Sequence, residues 1–190
     1  NYTIDFNVAA DVDFTDNDLD GLQLGGVDGR GGFDTVTLLN AANTTFLFDV
    51  EVITGGNADD TVIIDNESTF STVNLGLGDD IIKVERFTDF GAGTTLDGGA
   101  GSLDTLFVND TAVTQVDLGS VSLSAVEVID ANGGAVGGVD IRLDGNDLAD
   151  VTTINGDGTV DSLTLSSSAN LTTLSTISAT FTDLNIEDGF

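Results

Sequence analysis

Gly55-Gly56-Asn57-Ala58-Asp59-Asp60-Thr61-Val62 and Leu75-Gly76-Leu77-Gly78-Asp79-Asp80-Ile81-Ile82 are one phrase written twice. Each opens on a glycine-rich turn, leaves it through a carboxylate and runs into a short apolar segment. Gly98 to Leu106 (G-G-A-G-S-L-D-T-L) and Asn155 to Leu163 (N-G-D-G-T-V-D-S-L) repeat it, and Gly29 to Val36 (G-R-G-G-F-D-T-V) does so more loosely. Glycine closes such turns at low conformational cost, and short polar side chains leave them readily. A turn-plus-strand unit that recurs along a chain is the signature of a solenoid. The turn-exit aspartates Asp34, Asp60, Asp80 and Asp104 lie 26, 20 and 24 residues apart; Asp140 follows after 36 and Asp161 after 21. About twenty residues hold two short strands and two turns, so each interval reads as one coil. The long interval predicts an extra strand near residues 113–118 and 121–123.

Between the turns the segments are short, β-branched and of period two: 35–39, 61–64, 81–84, 105–108, 139–143 and 162–165. No helical stripe survives the glycines, so helix content should be near zero. A second element, Val-Glu-Val-Ile, occurs at 50–53 and 126–129 and is expected on the side of the coil opposite the glycine phrase. The expected fold is therefore all-β: a right-handed parallel β-solenoid of about six irregular coils with atypical capping ends. Residues 1–20 form an amino-terminal strand or assembly segment, 21–165 the solenoid, and 166–190 a carboxy-terminal cap. Tyr2 to Val8 alternates like a strand but belongs to no glycine turn, so it could cap its own chain or pair with a neighbouring copy. Phe33, Phe46, Phe48 and Phe107 are read as core stacks.

The composition narrows the function. A net charge of −29 with four fixed cations (Arg30, Lys83, Arg86, Arg142) opposes binding to nucleic acid or an anionic membrane, both of which need phosphate neutralisation. No run of eighteen apolar residues spans a membrane. Cysteine and histidine are absent, which removes disulfides, thiolate sites and the commonest general base. Adjacent acids such as Asp59–Asp60 point to opposite faces of a strand and cannot flank one bond, so no catalytic residues are expected. The acids are 28 Asp against 5 Glu, and many Asp sit beside Gly or Asn in turns. Absence of Met and a start at Asn1 suggest a processed chain or a segment of a longer one.

Stacked coils place equivalent carboxylates ~4.8 Å apart, where they repel by roughly 1 kcal/mol in water and more when partly buried. A cation between them would relieve this. Oxygen donors alone, in loose geometry, select Ca²⁺ over Mg²⁺ and transition metals. The candidate ligands are Asp34, Asp60, Asp80, Asp104, Asp157 and Asp161, with Asp59, Asp79 and Asp97 as second choices. Carbonyls of the turn glycines Gly55, Gly76, Gly78, Gly99 and Gly101 complete the sites. Asp60, Asp80 and Asp104 are expected on consecutive coils of one edge, sharing ions between them.

These phrases resemble the RTX (repeats-in-toxin, hemolysin-type calcium-binding) nonapeptide G-G-x-G-x-D-x-U-x, in which U is large and apolar. Gly55 to Val62 departs only at Ala58, and Leu75 to Ile82 only at Leu75. The resemblance implies a Ca²⁺-loaded parallel β-roll exported by type I secretion. Its sixth-position ligand falls on Asp60 and Asp80, and on Asp34 and Asp104 with a shift of one residue. RTX repeats follow every nine residues, whereas here the phrase comes once per coil, as in the degenerate repeats of bacterial S-layer proteins and large surface adhesins. The resulting expectation is a secreted, extracellular or cell-surface, calcium-binding structural protein that self-assembles into a layer or filament. The alternative is an adhesin segment that attaches to cells, matrix or cell-surface polysaccharide, with a β-helix polysaccharide-active enzyme a distant third.

Overall fold

A computed structural model describes residues 2–5, 11–14, 24–28, 33–38, 44–48, 50–64, 70–84, 90–108, 115–131, 140–156, 161–167, 172–177 and 181–186. The chain is a parallel β-solenoid. Its longest sheet has nine strands: β1 (Tyr2–Asp5), β3 (Leu24–Asp28), β5 (Thr44–Phe48), β7 (Thr61–Ile64), β9 (Ile81–Val84), β11 (Thr105–Val108), β14 (Val128–Asp130), β16 (Thr153–Asn155) and β18 (Thr176–Ile177). A six-stranded sheet stacks β2 (Asp11–Phe14), β4 (Thr35–Leu38), β6 (Val52–Thr54), β8 (Phe70–Asn74), β10 (Phe90–Asp97) and β13 (Ser122–Ser124). A four-stranded sheet holds β12 (Gln115–Asp117), β15 (Asp140–Leu143), β17 (Asp161–Leu165) and β19 (Phe181–Ile186). Every strand pairing among the described residues is parallel. The 3-10 helix Gly145–Ala149 is the only helix among them, and no helix there is long and apolar enough to cross a membrane.

Alternation along each strand sends one set of side chains inward, and the parallel register stacks them in columns. Val62, Ile82, Leu106, Ile129 and Ile154 are mutual register partners, and none is more than 1% exposed. Val36, Ile53, Val73, Leu96 and Leu123 line the facing sheet, and Val116, Ile141 and Leu163 the third. Because the inner column passes through the middle of the stack, truncation cannot be repaired by collapse from one side. Leu106→Ala is expected to cost about 2–5 kcal/mol in urea unfolding, against less than about 0.5 kcal/mol for Leu103→Ala, which lies outside.

The cross-section changes midway. In β10 the register jumps between Phe90 and Thr95, and Gly93 there donates its N–H to the Ser120 carbonyl. One coil later the chain lays down both β12 and β13 where earlier coils carry one strand, so the third sheet begins as the six-stranded sheet ends. The sequence predicts one extra strand near 113–118 and 121–123; the structure has two there, β12 and β13.

Several expectations are revised. The coil count is not six, because the glycine phrases do not come once per coil on one edge: Asp34, Asp60 and Asp161 lead into three different sheets. β1 pairs in cis with β3 and is the first strand of the long sheet, so Tyr2–Asp5 does belong to the stack; residues 6–10 lie outside the described set. β18 and β19 continue two sheets beyond residue 165. Phe33 is 58% exposed, and Phe107 alternates with the buried Leu106 and Val108, so it faces outward. The side chains of Phe46 and Phe48 lie outside the described set.

Candidate functional site

The residues that precede the strands of the long sheet form a column of their own. Thr61, Ile81, Thr105, Val128 and Thr153 are register partners, which aligns Asp60, Asp80, Asp104, Glu127 and Thr152 immediately before them. Asp60, Asp80 and Asp104 are buried to 1% exposure. Each position binds its predecessor: the Asp60 N–H donates to Asp80 Oδ1 at 2.6 Å, Asp80 N–H to Asp104 Oδ1 at 2.7 Å, and Asp104 N–H to Glu127 Oε2 at 2.9 Å. These amides lie outside the strand ladders, and the carboxylate of the following coil supplies the acceptor they need. Asp60 Oδ2 closes its own turn by accepting the Gly56 N–H at 3.2 Å.

An exposed ladder runs the opposite way beside it. The Asp79 N–H donates to Asp59 Oδ1 and the Ser102 N–H to Asp79 Oδ1, both at 2.9 Å. The Asp-Asp dipeptide is thus a two-way clamp: Asp79 reaches forward to the next coil and Asp80 back to the previous one.

The turns stack backbone on backbone. The Leu77 N–H donates to the Gly56 carbonyl and the Ala100 N–H to the Gly76 carbonyl. Gly76, Gly78 and Gly99 adopt φ of +90°, +137° and +99°, a region open to glycine at little cost. A Cβ on Gly101 would overlap the Gly78 carbonyl and press on both carboxylate oxygens of Asp104. Glycine is therefore required for contact between turns as well as for their curvature.

The inner column carries a charge problem. Asp80 Oδ2 and Asp104 Oδ2 are buried and accept no hydrogen bond. Burial pushes the Asp80 carboxyl up to about 7, with the charges of Asp104, Asp60 and Asp59 adding to it. Burial likewise pushes Asp104 up to about 6, helped by Glu127, Asp79 and Asp97. The exposed Asp79 is lowered, chiefly by the Ser102 amide.

The remaining candidates fall elsewhere. Asp34 precedes β4 in the six-stranded sheet, so the 26 residues between Asp34 and Asp60 are not one coil. Asp161 is the buried first residue of β17, in the third sheet. Asp97 ends β10, accepting from Asn74 Nδ2 at 3.1 Å and from the Gly99 N–H at 3.0 Å. A Cβ on Gly55 would overlap Leu75. Asp157 lies outside the described residues. No three acidic side chains converge into a metal-binding group among the described residues; Asp60, Asp80 and Asp104 do stand on consecutive coils of one edge, as expected, while Asp34 and Asp161 belong to other sheets.

The two Val-Glu-Val-Ile copies fall on different sides: the first, in β6, lies on the six-stranded sheet, opposite the glycine phrases that lead into β7 and β9 as expected, and the second, in β14, joins the nine-stranded sheet itself. Glu127 follows Asp104 in the same column. Glu51 follows Asp34 in the six-stranded sheet, where the Asp34 N–H donates to Glu51 Oε2 at 2.7 Å. Both glutamates are coil-to-coil acceptors like the aspartates. The available signal was the phrase itself: an acid one residue before a β-branched pair, as in D-T-V and D-I-I.

The chain was also compared with known proteins. No family model, curated protein or solved structure matches it.

Proposed function

We propose that this chain is a structural module of a secreted, calcium-binding solenoid that assembles with its own copies into an extracellular layer or filament. The observation that carries this reading is the inner carboxylate column. Each of Asp80 and Asp104 spends one oxygen on the neighbouring coil and keeps a second, buried and without a donor. At neutral pH that oxygen needs a proton or a cation, and an oxygen-only donor set suits Ca²⁺. Asp80 and Asp104 would hold the ion, with turn carbonyls and water completing its shell. Bound there, Ca²⁺ supplies charge neutralisation between coils and no chemistry on a substrate.

The rest of the reading follows from how such a stack behaves. A −29 chain repels itself, so a ligand that binds only the folded state adds to its stability. Parallel strands joined by crossovers take a right-handed path in nearly all proteins, and that hand is proposed here. Four Lys and Arg leave few cleavage sites for trypsin-like proteases, which suits an extracellular material.

Calcium titration at pH 7.5 tests the metal. Saturating Ca²⁺ is expected to raise the unfolding free energy by about 4 kcal/mol at a thousandfold excess over Kd, and Asp80→Ala to weaken binding far more than Asp183→Ala. Equal affinities in the two variants would refute the column as the site. Electron microscopy after calcium addition tests assembly: ordered sheets or filaments are expected, whereas calcium-loaded solenoids that stay monomeric would favour an adhesin segment.

A further inference from the structure

At β13 the six-stranded sheet stops, and the 3-10 helix Gly145–Ala149 takes the place of a further strand. On the side of β13 away from β10, the Leu123 N–H donates to Asp147 Oδ1 and the Ala125 N–H to Asp150 Oδ2, both at 3.1 Å. These are the amides that a further parallel strand would otherwise engage. Sheet edges left open invite pairing with other chains, and a covering helix or loop is one way of closing them.

The helix is held by its own coil and by the next. Asp144 caps it, accepting from the Asn146 N–H at 2.9 Å and from Ser167 Oγ at 3.0 Å. The Gly145 N–H donates to Ser167 Oγ at 2.8 Å, Thr173 Oγ1 donates to the Leu148 carbonyl at 3.0 Å, and Leu148 is fully buried. Asp147 is the weak point of this arrangement. It is 92% buried (8% exposed), and its Oδ2 accepts nothing. Asp144 acts on it from its own element and the Leu123 amide from β13, while Ser167 and Thr173 hold the helix from the next coil. Arg142, the cation nearest in sequence, pairs with Asp117 at 3.1 Å. An ionised Asp147 therefore leaves a buried, half-satisfied charge; a protonated one does not, and Oδ1 still accepts from Leu123.

We infer that the 3-10 helix is a proton-controlled clasp on the edge of the six-stranded sheet, closed on β13 while Asp147 is protonated and released as it ionises, which frees the Leu123 and Ala125 amides for strand addition. Burial, reinforced by the Asp144 charge, raises the proton affinity of Asp147 in the closed form. The closed state then binds the proton more tightly than the open one, so opening grows as pH rises through the window above the ordinary carboxylate range.

Amide hydrogen exchange by NMR across pH 4 to 8, corrected for intrinsic rates, tests this directly. Protection at Leu123 and Ala125 is expected to fall by up to about tenfold per pH unit within that window, beyond any change at Ile53 in the middle of the same sheet. Asp147→Asn should keep both amides protected and remove the slope; Asp150→Ala, which removes the acceptor, should weaken Ala125 alone. The series is run with calcium and with chelator, and the slope is expected in both, so a failure of the calcium reading would leave it intact. Protection at Leu123 and Ala125 that follows Ile53 at every pH, or an Asp147→Asn variant with the wild-type slope, would overturn the clasp.

Discussion

Calcium-free protein is expected to be several kcal/mol less stable at pH 8 than at pH 5, the reverse of ordinary acid denaturation. Asp80 and Asp104 titrate near 7 and near 6 in the fold, against about 3.9 in an unfolded chain. Between those limits the folded state holds protons that the unfolded state has lost, so stability falls as pH rises. Their contribution is fully present below about pH 4 and lost by about pH 7 to 8. At about 1.4 kcal/mol per unit, Asp80 accounts for as much as about 4 kcal/mol, and the two interact, so their effects do not simply add. The −29 charge works in the same direction over this range. Asp79, exposed and lowered, works against it only at more acid pH. Urea unfolding in chelator at half-unit intervals measures the curve. Asp80→Asn should flatten it and raise stability at pH 8, because an amide oxygen still accepts the Asp60 N–H without a buried charge. A profile that is level, or that rises from pH 5 to 8, would show that the column is not desolvated as described.

Two glycines with nearly the same backbone should respond very differently to alanine. Gly99 and Gly93 have φ of +99° and +89°. An alanine in that region costs about 1–2 kcal/mol in either place. At Gly93 a Cβ meets nothing within 4 Å, so Gly93→Ala should cost no more than that. At Gly99 it would overlap the Gly76 carbonyl, carbon and amide nitrogen, all backbone atoms of the adjacent coil. Coils in a parallel stack cannot separate locally without breaking the ladders on either side, so Gly99→Ala should cost at least twice as much as Gly93→Ala and release the Asp80 and Asp104 amides to exchange. Similar losses of stability in the two variants would mean that conformation alone, and not contact between turns, is why glycine is needed.

The strands were legible in the chain because period-two segments bounded by glycine leave few alternatives. The runs read at 61–64, 81–84 and 105–108 are β7, β9 and β11 residue for residue. An extra strand in the long interval, where β12 and β13 lie, was legible too, as β-branched residues with no glycine phrase of their own. Which face each strand joins was not. A coil with two or three sides offers the same local pattern on all of them, so Asp34, Asp60 and Asp161 look alike in sequence while standing on three different sheets. Glu51 and Glu127 were missed as partners of the aspartates for the same reason: their role depends on what lies one coil away.

By itself, then, the sequence determined the class of fold and where the glycine turns and their exit carboxylates fall, since these follow from residue type and short-range spacing. The tertiary structure alone decided that the turn aspartates are buried coil-to-coil acceptors, that Asp79 and Asp80 clamp in opposite directions, and that a 3-10 helix closes one sheet where the coil gains a third side. Each of these depends on register between strands some twenty residues apart, and register is set by the packing of the apolar columns across the whole stack.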